Sequence, residues 1–116
     1  MYDFYYGTKE EILENPERYL LFIKRMMPRW LNGIPDSELL AIWDVLNKIE
    51  QKNPVLIETG SGASSLAMFL YAILHDGTLY SWDLNNARGA ELKSIVNQII
   101  CRDFNVNLDS KWKFIA

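Results

Sequence analysis

Glu58, the turn Gly60-Ser61-Gly62 and Asp83 are the residues whose types and spacing could do chemistry in this chain. Glycines that leave a strand and open a helix allow positive φ and keep side chains out of a ligand's path. The first N–H groups of the following helix lack partners within it, so they point into the space beyond the strand. Asp83 stands 23 residues after Gly60. An acid that closes a second strand at that distance can accept hydrogen bonds from both hydroxyls of a ribose. A glycine turn and a strand-end acid thus form a ribose-binding pair, although an acid also suits a plain helix start. Glu58 lies two residues before Gly60, inside an apolar run. A carboxylate there repels a pyrophosphate and attracts a cation such as an amino group. The bland alternative for Glu58 is a solvated strand end.

Other chemistries find less support. A hydrolase elbow reads G-x-S-x-G, whereas this turn reads Gly-Ser-Gly, and no base pairs with Ser61, Ser64 or Ser65. The phosphate-loop pattern G-x-x-x-x-G-K-[ST] is absent. His75 is the only histidine, and a helix end or plain surface exposure accounts for it. No His/Cys group has the spacing of a zinc site. Cys101 is the only cysteine, which rules out an internal disulfide framework and fits a reducing compartment. Its place beside an apolar stripe reads as an inert core thiol. The net charge of −3 and the scattered basic residues offer no stripe for nucleic acid. The longest apolar run, Leu66 to Leu74, falls well short of the ~20 residues of a membrane span. The start, Met-Tyr-Asp-Phe-Tyr-Tyr-Gly, has neither a basic region nor an apolar signal core. A cytoplasmic protein without a membrane or nucleic-acid partner is the expectation.

The elements that must position these residues follow from the pattern. With 49% apolar and 23% charged residues in 116, one globular domain is expected. Thr8 and Glu11 match a capping box, and Asn15-Pro16 marks a second helix start. Tyr19, Phe22, Ile23, Met26, Met27 and Trp30 recur at helical spacing, and Pro28 should end or kink that helix. A third helix is expected from about Asp36 to Gln51, burying Leu39, Ile42, Trp43, Leu46 and Ile49. Trp30, Trp43 and the Met26-Met27 pair read as core.

The character changes at Asn53-Pro54. Val55–Thr59 reads as a strand. Ser64 to His75 reads as a helix apolar nearly all round, hence deeply buried. Thr78–Trp82 is a second strand, ending at Asp83. Asn85-Asn86 can cap a helix in which Leu92, Ile95, Val96, Ile99 and Ile100 form the strongest helical pattern of the chain. Trp112–Ala116 reads as a third strand. Strands alternating with helices imply parallel pairing. The expected fold is therefore α/β: a Rossmann-like parallel sheet, incomplete at about three strands and preceded by N-terminal helices. Residues 1–53 form the helical segment and residues 54–116 the N-terminal half of a nucleotide-binding domain.

Glu58-Thr-Gly-Ser-Gly-Ala-Ser64, followed by Trp82-Asp83-Leu84, resembles the first two motifs of class I S-adenosylmethionine-dependent methyltransferases. The resemblance covers about Pro54 to Ala116. It implies that Gly60, Ser61 and Gly62 line the methionine part of S-adenosylmethionine. It further implies that Glu58 binds the ammonium group, directly or through water, and that Asp83 holds the ribose hydroxyls. Ser64 takes the last small-residue place of the first motif. The family's complete sheet has more strands than this chain has room for, and its adenine and catalytic segments come later. A cofactor-binding fragment is the expectation, with methyl acceptor and catalytic residue unassigned. An NAD-linked oxidoreductase is the alternative, opposed by Ser65 at the place of the third fingerprint glycine and by Glu58 beside the phosphate position. A non-enzymatic partner-binding module is the third. In either case the open Val55–Thr59 edge invites association, including homo-oligomers.

Overall fold

The computed structural model describes residues 9–28, 33–49, 52–59, 62–82 and 86–115. The chain opens with three helices: α1 (Lys9–Glu14), α2 (Pro16–Met26) and α3 (Asp36–Leu46). Asn15 caps α2, its side chain accepting from the Arg18 N–H at 3.1 Å, with Pro16 at the first helical position. The helix stops where Pro28 requires. Met27 is extended, with φ −77° and ψ 144°, as the residue before a proline must be. That exit turns Met27 into the core and leaves Met26 on the surface, so only one of the expected methionine pair is buried. Thr8, Trp30, Gln51 and Asn85 lie outside the described residues.

α3 is shorter than its pattern predicts. It ends at Leu46 in a turn, and Ile49, expected in the buried stripe, is exposed. The Asn47 side chain donates to the Trp43 carbonyl at 2.7 Å. The Asn47 N–H donates to the same carbonyl at 3.1 Å, and the bonds that follow tighten to i+3, Lys48 N–H to Val45 and Ile49 N–H to Leu46, which ends the helix. Ile49 contributes through its backbone instead, its carbonyl accepting from the Tyr71 hydroxyl at 2.7 Å.

The second half alternates as expected: β1 (Val55–Thr59), α4 (Ser64–Leu74), β2 (Thr78–Trp82), α5 (Asn86–Val96) and β3 (Trp112–Ile115). Between α5 and β3 the chain passes through a π-helical turn (Asn97–Cys101) and two short helices, α6 (Arg102–Phe104) and α7 (Leu108–Lys111). Ile99, Ile100 and Cys101 on the π turn are all buried. The strands form one sheet in the order β1-β2-β3, and both pairs are parallel. This is an α/β, Rossmann-like arrangement.

α4 explains its own composition. One side packs on β1 and β2, and the other meets α2 and α3. Phe69 lies against Trp112 of β3 with ring centroids 5.1 Å apart, and Tyr71 meets Trp43 of α3 edge-on at 6.4 Å. A helix held between a sheet and a helical layer has no solvated face to make polar. The core runs from Ile12 in α1 to Trp112 in β3 without a break. Tyr19 of α2 joins the far end, donating to Asp103 Oδ2 at 2.8 Å and packing edge-on against Phe104. Among the described residues, no helix is long and apolar enough to cross a membrane.

Candidate functional site at the carboxyl end of the first strand

The sheet register brings the chemistry together. Glu58 is the Cα partner of Ser81, and Thr59 is the partner of Trp82. β1 and β2 therefore end level with each other, on the side where parallel sheets bind ligands. Gly60 follows Thr59 directly and Asp83 follows Trp82. Gly60, Ser61 and Asp83 themselves lie outside the described residues.

Side chains alternate across a strand. Leu56, Leu79, Ser81 and Trp112 are buried, whereas Val55, Ile57 and Trp82 are exposed. Glu58 shares the buried face and is itself half-buried. Its Oε1 accepts from two hydroxyls, Ser65 Oγ at 2.5 Å and Ser81 Oγ at 2.6 Å. Ser65 belongs to the first turn of α4, and its Oγ accepts from the Gly62 N–H at 3.2 Å. Ser81 Oγ accepts from the Trp112 indole N–H at 2.9 Å. One carboxylate oxygen thus ties together β1, β2, β3 and the start of α4.

The electrostatics favour this arrangement. The first turn of α4 has no acidic residue, and Ala63, at its cap, makes no side-chain hydrogen bond. The positive end of the helix dipole is complemented instead by Glu58, from the neighbouring strand. The two O–H···O contacts have the length of charge-assisted hydrogen bonds. Both hydroxyls are placed to donate into Oε1. The arrangement can hold a negative charge at a set place beside the glycine turn.

Of the residues expected to bind a ligand, Glu58, Gly62 and Ser64 are described, and the turn at Gly62 joins Glu58 through Ser65. Ser64 starts α4 and is partly exposed. The sequence does not assign Ser81 or Trp112 to this site, and it marks Ser65 only as an unsupported nucleophile and as a missing fingerprint glycine. A signal was present for Ser81. It occupies an inward position of an alternating strand, and a buried hydroxyl there needs a partner. No family model matches the chain, and no curated protein or solved structure matches it.

Proposed function

We propose that this chain is the cofactor-binding part of an S-adenosylmethionine-dependent methyltransferase. The observation that carries the reading is the Glu58 carboxylate, held at the carboxyl end of β1 beside the glycine turn and the start of α4. A fixed anion there suits an amino-acid ammonium and opposes a pyrophosphate. Glu58 would hold that ammonium, Gly60, Ser61, Gly62 and Ser64 would line the methionine moiety, and Asp83 would accept from the ribose hydroxyls. The bound cofactor supplies an electrophilic methyl group on a sulfonium. The protein's own part is to bind and orient it toward an O, N or C nucleophile.

Calorimetric titration with S-adenosylhomocysteine and, separately, with NAD tests the reading. The homocysteine nucleoside should bind, and Asp83→Ala should weaken it by the ~1.5–3 kcal/mol of a charged hydrogen bond. Preferential binding of NAD would move the assignment to an oxidoreductase.

One observation favours a second reading, association through the sheet. Val55, Ile57 and Trp82 expose 62%, 61% and 40% of their surface on the face opposite α4, next to the β1 edge. A parallel sheet is ordinarily covered on both faces. Self-association or a partner layer on this face is compatible with cofactor binding at the strand ends.

A further inference from the structure

We infer that Ser65 and Ser81, the latter backed by Trp112, are positioning residues that aim the Glu58 carboxylate at a ligand's ammonium group. The part concerning the ligand rests on the cofactor reading above.

For an ionised Glu58, the proton directions in the cluster follow from the donors around it. An indole N–H donates and cannot accept. Ser81 Oγ, receiving the Trp112 N–H at 2.9 Å, is left with one hydrogen, and its neighbour on that side is Glu58 Oε1 at 2.6 Å. A backbone N–H also only donates. Ser65 Oγ, receiving the Gly62 N–H at 3.2 Å, likewise turns its hydrogen to Glu58 Oε1 at 2.5 Å. Two one-way relays, each beginning at a donor-only group, converge on one oxygen. While the carboxylate is ionised it cannot donate back, so both relays run toward it.

The relays are rigid. Ser65 and Ser81 are fully buried, and Trp112 is 1% exposed against Phe69. The position of Oε1 is therefore set by β2, β3 and α4 together. Gly62 is part of the same cluster, so the position of the carboxylate and the entry to α4 are coupled. Ser65 stands where a dinucleotide fingerprint has its third glycine, and a glycine there would remove one of the two relays. The serine is thus a specificity feature: it stabilises an anion that a phosphate ligand would not tolerate.

The test has two arms on the whole chain. The first needs no ligand. The four tryptophans give four indole N–H signals in a proton–nitrogen correlation spectrum, and Trp112→Phe identifies one of them. Glu58→Gln should displace the Trp112 signal in the wild-type background and leave it in place in the Ser81→Ala background. The second arm compares S-adenosylhomocysteine with 5′-methylthioadenosine, which has the same nucleoside but no ammonium. Ser81→Ala and Ser65→Gly should each weaken the first about tenfold, the loss of one charged hydrogen bond. Binding of the second should stay within about twofold of wild type.

Equal weakening of both ligands would overturn the inference, because it would mean general loss of structure. An unchanged Trp112 signal in Glu58→Gln would overturn it as well. Failure of the wild-type chain to bind either nucleoside would remove the cofactor reading alone. The indole coupling would then decide whether the serines position Glu58.

Discussion

Cys101 shows how burial sets reactivity at a single residue. The thiol sits on the π-helical turn in the core, and burial pushes its pKa up from 9.0 to about 11. The folded state thus holds the proton more tightly than the unfolded chain does. Stability is unaffected by this group below pH 9 and falls as pH rises from there through about 11. At neutral pH almost no thiolate is present, and the thiol is sheltered. Iodoacetamide should modify Cys101 slowly in the native protein and rapidly in denaturant, as measured by mass spectrometry over time. Native labelling as fast as unfolded labelling would contradict the burial. Glu58 is the opposite case, a partly exposed acid supplied with two donors. The sequence identified both residues by type and neighbourhood. It could not supply the donors to Glu58, because Ser81 and Trp112 arrive from other strands through register.

At the level of elements, the junction between α4 and β2 carries unusual constraint. Asp76 ends the helix in the left-handed region, with φ 54°, and Gly77 donates its N–H to the Ala72 carbonyl at 2.7 Å. A Cβ at Gly77 would lie 2.3 Å from the Pro54 carbonyl oxygen and 2.8 Å from its Cγ. That same carbonyl accepts from the Thr78 N–H at 2.9 Å, at the start of the β1–β2 pairing. Gly77→Ala should therefore destabilise by about 1–3 kcal/mol, the usual cost of overpacking, read from chemical denaturation. An unchanged midpoint would show that the junction can yield.

Two ion pairs join elements in the same way. Lys24 of α2 reaches Asp36 of α3 at 3.0 Å, and Lys111 of α7 pairs with Asp76. The hydrogen bond from Lys24 holds the Asp36 carboxyl below its ordinary value of 3.8, with Arg25 adding to it. Lys111 does the same for Asp76. Carboxyls depressed in the folded state stabilise it above about 3.8, and that contribution is lost as pH falls through the lowered values. Stability of Asp36→Asn/Asp76→Asn should therefore fall less steeply on acidification than wild type, in unfolding followed by circular dichroism from pH 5 to pH 2.

At the scale of the whole molecule, one sheet face meets α4 and the other shows Val55, Ile57 and Trp82. β1 is also an edge of the three-stranded sheet. An apolar face beside an edge that pairs with no other strand among the described residues favours association. Ile57→Lys places a charge at the centre of this face without touching the core. It should lower self-association at high protein concentration, with the melting temperature at low concentration nearly unchanged, by sedimentation velocity and calorimetry. If the wild type is already monomeric at all concentrations, the exposed face does not bind a second copy.

The sequence by itself determined the order of elements, the parallel α/β class and the acid at the end of the first strand. Those features are local. Alternation, helical spacing and the breaks at Pro28, Asn53-Pro54 and Asp76-Gly77 act over a few residues and leave a direct trace in composition. It overextended α3, because the apolar stripe continued to Ile49 while the backbone bonds beyond Asn47 tighten into a turn. It carried α5 on through Ile99 and Ile100, because both stay buried on the π turn that follows and the apolar pattern does not mark the change. Only the tertiary structure decided that Glu58 Oε1 would be shared by Ser65 and Ser81 and backed by Trp112. Those partners are separated along the chain, and strand register, which no short window encodes, brings them within hydrogen-bond distance.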